Sequence, residues 1–246
     1  MVQKYLQALK ATDPEFTDFF SRFAGEEVVN EPGKGLDERT RYMAVLAALL
    51  GCQGRDLFWK MLPQALDAGV TPVEIKEIVY QATAYLGIGR SYPFLNITNQ
   101  VLEERGISLP LPNQTTTTPE DRVQKGEDKQ AELFGESYRG SASRGPEESC
   151  RINRWLAGNC FGDYYTRTVL DNRQREMITF CFIAAQGGCE PQLAGHTAGN
   201  LRVGNNKQFL INVISQCMPY IGYPRTLNAL RVVSEVCKEA ESHDQN

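Results

Sequence analysis

The chain has 246 residues, 41% of them hydrophobic, enough to fill the core of two ordinary domains or one intimate double domain. Its 26 basic and 30 acidic residues leave a net charge of −4 without a basic stripe, which argues against nucleic acid or an anionic membrane as partner. Met1-Val2-Gln3-Lys4-Tyr5 lacks the apolar core of a signal peptide, and the longest apolar run, Tyr42 to Leu50, is far shorter than the about 20 residues that span a bilayer.

In chain order, the first clear helix is announced by Thr71-Pro72-Val73-Glu74. Thr71 suits a cap, Pro72 the first turn, and Glu74 completes a capping box. Ile75, Ile78, Val79 and Ala82 then follow i, i+3, i+4, i+7 spacing. Between Ile107 and Gly126 prolines and the threonines Thr115 to Thr118 bury little, so residues 107–118 are expected to form a surface linker. Thr118-Pro119-Glu120-Asp121 reads as a new helix start, and the Ser/Gly-rich stretch Arg139 to Pro146 as a mobile loop. Farther on, Leu210, Val213, Ile214 and Cys217 repeat the helical spacing of Ile75 to Ala82. Gly204-Asn205-Asn206 ends one helix and caps the next.

That repetition is general. Leu36-Asp37-Glu38-Arg39-Thr40-Arg41 recurs as Leu170-Asp171-Asn172-Arg173-Gln174-Arg175 at an offset of 134. Gln81, Tyr85, Gly87 and Arg90 recur as Gln216, Tyr220, Gly222 and Arg225 at an offset of 135. One unit has been duplicated. The expected fold is all-α, with a first copy over 1–106 and a second over 119–246.

Chemistry gathers in the second copy. Arg173 to Gln186 reads as a helix broken by Gly187-Gly188, and Cys189-Glu190-Pro191 starts another. Cys189 is thereby placed at a helix N-terminus, where unpaired amide N–H groups favour a thiolate. Cys189, Gln192 and His196 fall at i, i+3 and i+7 on one face, with thiol and imidazole about 10 Å apart along the axis. Glu176, on the preceding antiparallel helix, is in reach of His196. At the two offsets Glu176 matches Tyr42, Cys189 matches Gly54 or Arg55, and His196 matches Met61 or Leu62, so the first copy has the frame without these groups.

Blander readings stand beside this one. His196 alone fits a packed histidine, Cys189 a small apolar residue, and Glu176 an ion pair with Arg173. Seven cysteines, none in a Cys-x-x-Cys pair, are expected to be reduced cytosolic thiols. With His196 and His243 the only histidines, a structural zinc site or metal triad is not expected. Asn96-Ile97-Thr98 and Asn113-Gln114-Thr115 match a glycosylation acceptor without consequence in the cytosol.

Phe161-Gly162-Asp163-Tyr164-Tyr165-Thr166-Arg167, Leu170-Asp171 through Arg175-Glu176, Gly188-Cys189 through His196, and Gly222-Tyr223-Pro224-Arg225-Thr226-Leu227-Asn228-Ala229 together resemble the carboxymuconolactone decarboxylase family, which includes the alkylhydroperoxidase AhpD. In the AhpD branch the resemblance implies an acid–Cys-x-x-Cys-x-x-x-His relay that reduces hydroperoxides. Glu176, Cys189 and His196 occupy the acid, first-cysteine and histidine positions, but Gln192 stands at the second cysteine. The decarboxylase branch implies cofactor-free loss of CO₂ from a small anionic lactone. His196 is then the candidate acid, Glu176 its orienter, Gln192 a pocket residue, and Arg167 or Arg173 a clamp for the substrate carboxylate.

Acid–base chemistry on a small organic acid or lactone is the leading expectation. The alternatives are a peroxiredoxin-like thiol peroxidase using Cys189, and a non-catalytic binding or assembly module. The resemblance also implies rings of subunits, so self-association as a homotrimer of pseudo-hexameric shape, or a homodimer, is expected.

Overall fold

The computed structural model describes residues 6–31 and 35–243. Met1 to Tyr5, on which the signal-peptide argument rests, lie outside them. All regular structure among the described residues is helical. The first copy comprises α1 (Pro14–Arg22) running into a π-helical turn (Phe23–Glu27), α2 (Glu38–Gly51), α3 (Arg55–Asp67), α4 (Pro72–Leu86) and α5 (Ile88–Glu104). An added helix, α6 (Arg122–Phe134), follows the linker. The second copy repeats the first series: α7 (Glu147–Trp155) running into a π-helix (Leu156–Tyr165), α8 (Asn172–Gln186), α9 (Glu190–Arg202), α10 (Lys207–Ile221) and α11 (Tyr223–His243). With 15 residues against 14, α8 is one longer than α2, which accounts for the step in offset.

Local chemistry explains where the helices begin. Thr71 and Glu74 form the reciprocal capping box expected at α4, and Asp171 forms one with Gln174 at α8. Asn206 caps α10 by accepting from the Phe209 amide. Gly187, at φ 73°, ends α8 in a backbone conformation that side-chain-bearing residues resist.

The two copies are fused through α2 and α8. Residues 42–51 of α2 and 175–185 of α8 are all buried, so neither helix has a solvent face. A helix apolar nearly all round needs neighbours on every side. The closest contact is at Gly51, where a Cβ would stand 2.6 Å from the Phe182 carbonyl oxygen. The expected apolar rows of α4 and α10 join the same core, a single cluster drawn from both copies.

The linker lies across the second copy, largely exposed. Thr116 Oγ1 donates to the Thr166 carbonyl at 3.0 Å and Lys125 Nζ to the Thr116 carbonyl at 2.7 Å. Two expectations are corrected. α6 starts at Arg122, because the Asp121 carboxylate takes the Thr118 amide (2.7 Å) and folds Thr118–Asp121 into a turn before the helix. Arg139–Pro146 is a tethered segment, not a loose loop: it holds a 3₁₀ turn (Ser141–Ser143), the Ala142 amide donates to Glu127 at 2.8 Å, and Arg139 pairs with Glu136 and Asp128.

Candidate active site

The site forms where α8, α9, the Leu156–Tyr165 π-helix, α6 and the C-terminal end of α4 converge. Glu176 is fully buried on α8, and His196 is 9% exposed on α9. His196 Nδ1 lies 2.9 Å from Glu176 Oε2. The imidazole sits between the rings of Tyr85 and Phe134, each edge-on at 5.4 Å. Gly199, one turn beyond His196, makes room for the carboxylate: a Cβ there would lie 2.5 Å from Glu176 Oε2. Asn200 Nδ2 ties α8 to α9 by donating to the carbonyls of Glu176 (2.9 Å) and His196 (2.7 Å).

Behind the pair, the direction of each hydrogen bond follows from counting protons. Tyr165 has one, which it donates to Glu176 Oε1 at 2.9 Å. Its contacts with Thr179 Oγ1 (2.7 Å) and Tyr85 Oη (3.0 Å) must therefore be accepted, with Thr179 and Tyr85 donating. Thr179 in turn accepts from Gln81 Nε2 at 2.8 Å, and Tyr85 from the Cys160 thiol at 3.6 Å. Gln81 Oε1 accepts from Arg175 Nη1 at 2.7 Å. The hydroxyl protons of Thr179, Tyr85 and Tyr165 thus all point towards Glu176.

Electrostatics keep the donors protonated. Burial, reinforced by the Glu176 charge, holds the Tyr165 hydroxyl well above the ordinary tyrosine value of 10.0. Burial, with the neighbouring Cys160, Tyr165 and Glu176, does the same for Tyr85. The Cys160 thiol is pushed up to about 12, chiefly by burial.

In front of His196 opens a cavity of about 450 Å³. Tyr85, Phe134, Tyr138 and Phe161 give it aromatic walls, Leu156 and Ile183 aliphatic ones, and Gln130, Gln186 and Gln192 amide edges. Cys160 and Cys189 also line it. Cys189 is the N-cap residue of α9, and its sulfur accepts from Gln186 Nε2 at 3.0 Å. All seven cysteines are free thiols, and no cluster that could hold a metal ion occurs among the described residues.

Of the residues singled out from the sequence, Glu176, Cys189, Gln192 and His196 come together here. Arg167 and Arg173 do not, so the structure gives neither the expected clamping position. Arg167 Nε donates to both oxygens of Glu77, at 2.8 and 3.0 Å, beside a different cavity walled by the linker. Arg173 donates to Asn205 Oδ1 (3.1 Å) and the Gly204 carbonyl (3.2 Å), bracing the turn between α9 and α10.

Sequence reasoning missed Tyr165, Thr179, Gln81, Gly199 and the role of Tyr85. Gln81 and Tyr85 belong to the first copy, which therefore both lines and supports the site. The repeat marked them, but as frame. The structure settles the counterparts in the first copy. Tyr42 replaces Glu176, Met61 replaces His196, and Gln64 replaces Gly199; Gln64 Oε1 stands 3.4 Å from the Tyr42 hydroxyl. There a tyrosine–glutamine contact fills the space that holds the acid–imidazole pair in the second copy.

Comparison with known proteins agrees with this architecture. The model of the carboxymuconolactone decarboxylase family matches residues 14–99 and again 151–235. A 4-carboxymuconolactone decarboxylase from Acinetobacter baylyi is 31% identical over 107 residues, 44% of this chain and 78% of that protein. The crystal structure of a provisionally named gamma-carboxymuconolactone decarboxylase subunit from Burkholderia xenovorans has the same fold, with a TM-score of 0.54 and 22% identity over 96% of this chain and 92% of that one. The chain belongs to the carboxymuconolactone decarboxylase family and carries two copies of its domain in tandem.

Proposed function

We propose that this protein is a decarboxylase in which His196 delivers the proton that replaces CO₂ on an organic acid. The observation that carries the reading is the buried Glu176–His196 pair at the head of the cavity. With Nδ1 engaged by Glu176, the other ring nitrogen is left to serve the cavity. Glu176 fixes the ring's orientation, as an acid–imidazole pair does in other general acid–base sites. Loss of CO₂ leaves the broken C–C electron pair in a conjugated enolate, on whose oxygen amide donors such as Gln192 can act. The imidazolium then protonates carbon and recovers its proton from water.

The family match and the decarboxylase name of the Acinetobacter relative support this reading over thiol peroxidation. The buried network also converges on Glu176 and not on a thiol. CO₂ release from candidate acids tests it. His196→Ala should lower turnover by a factor on the order of 10² to 10⁴ with the helical signal unchanged. Cys189→Ser should stay within about threefold of the parent, under 1 kcal/mol of barrier. Full activity in His196→Ala, or loss only in Cys189→Ser, would contradict the proposal.

A further inference from the structure

The walls of the cavity do not suit a small acid carrying more than one carboxylate. Its walls are rings and aliphatic side chains, and its polar edges are the neutral amides of Gln130, Gln186 and Gln192. No lysine or arginine is among its lining residues. Arg175 pairs with Glu77 at 3.1 Å, Arg167 pairs with the same carboxylate, and Arg90 reaches the rim only by donating to Gln186 Oε1 at 2.9 Å. Directly behind His196 stands an acid, Glu176, already bonded to Tyr165 and His196. A second carboxylate lodged here would lose its hydration and meet no lysine or arginine among the lining residues.

The mouth continues the same chemistry. Leu156 and Tyr138 line the cavity while remaining 44% and 43% exposed. Ile152 and Trp155, on the α7 turn that leads into Leu156, are 55% and 54% exposed. Through Leu156 and Tyr138 the exposed edge of the aromatic pocket is itself apolar, as suits an apolar ligand.

Resting on the decarboxylase reading above, we infer that the substrate is a flat aromatic acid with a single carboxylate next to a ring hydroxyl or carbonyl. The rings of Phe134, Phe161 and Tyr85 offer its body edge and face contacts. The glutamine amides suit its neutral oxygen. The lone carboxylate is the group lost: the ring–CO₂⁻ bond breaks, its electron pair stays with the ring, and a proton drawn from water through His196 takes its place.

Titration calorimetry on the full chain tests this with two probes, 1-hydroxy-2-naphthoate and the small dianion cis,cis-muconate. The naphthoate should bind at least about tenfold more tightly, a difference of 1.4 kcal/mol. Gln192→Arg, at an exposed position of α9, should shift that preference towards muconate by about tenfold or more. Equal or tighter binding of muconate by the parent chain, or no binding of naphthoate at millimolar concentration, overturns the inference. The decarboxylase reading fails separately. Naphthoate binding with no CO₂ released from any aromatic acid would leave the ligand class standing and remove the reaction. CO₂ release from a small dianion without naphthoate binding would do the reverse.

Discussion

Tyr165 stands at the centre of the network behind the acid–imidazole pair. Its hydroxyl meets three oxygens, those of Glu176, Thr179 and Tyr85, with one proton to give. Removing that oxygen would withdraw a donor from Glu176 and leave two inward-facing hydroxyls without their acceptor. Tyr165→Phe should therefore cost about 1–3 kcal/mol of stability, because the abandoned groups stay desolvated. With His196 and Glu176 still in place, turnover should fall by about tenfold, 1.4 kcal/mol of barrier and less than for His196→Ala. Thermal denaturation and CO₂ release on one preparation check both, and a variant as stable as the parent would contradict the proton count. The hydroxyls also carry a pH signature. Those of Tyr85 and Tyr165 lie well above the ordinary value of 10.0, so the native state grips their protons more tightly than the unfolded chain. Their contribution to stability is whole below pH 10 and is lost as pH rises through the native values. Among the ten tyrosines, these two should gain tyrosinate absorbance only within the alkaline unfolding transition. Complete titration with the helical signal intact would rule out a buried network.

At the level of elements, the site depends on how closely helices approach one another. Gly199 lets α9 lie against the Glu176 carboxylate, with Phe134 of α6 also only 2.7 Å from where a Cβ would stand. Gly199→Ala should push the carboxylate off His196. Activity should fall with stability, by about 1–3 kcal/mol as expected of overpacking. Parent-like turnover and melting would show that the pair has slack. Gly126 and Gly162 serve the same end where α6 crosses the π-helix; their Cβ atoms would stand 1.8 Å from the Ala157 oxygen and 2.2 Å from the Arg122 oxygen. The sequence made α4, α8, α9 and α10 legible, because caps and apolar spacing are local. It also placed Glu176, Gln192 and His196 on facing helices, since one turn joins α8 to α9. The π-helix was not legible, as its wider winding has no counterpart in the spacing rules that reveal an α-helix. Nor were the arginine partners. Whether Arg167 clamps a substrate or a structural acid depends on Glu77, ninety residues away in sequence. Only the folded chain brings them together.

For the molecule as a whole, duplication has allowed the copies to divide their work within a single body. The first copy surrendered the acid and the imidazole to Tyr42 and Met61, yet it supplies Tyr85 to the cavity wall and Gln81 and Glu77 to the supporting network. It also covers α8, in which Ile178, Phe182 and Ala185 are fully sheltered from solvent. We propose the boundaries 1–106 and 119–246 as units of evolutionary repetition and not of folding. A fragment of residues 119–246 would have every residue of the acid–imidazole pair, but α8 would be bare on the side that α2 covers. Such an apolar face is an association hazard. The fragment should aggregate or lack a cooperative melting transition, and should release no CO₂. Supplying residues 1–118 as a second chain should restore both properties, because the missing contacts are non-covalent side-chain packing and hydrogen bonds. A monodisperse, active fragment would mean that Tyr85 and Gln81 only decorate a self-sufficient second copy. Recovery on mixing would locate the site in the union of the two.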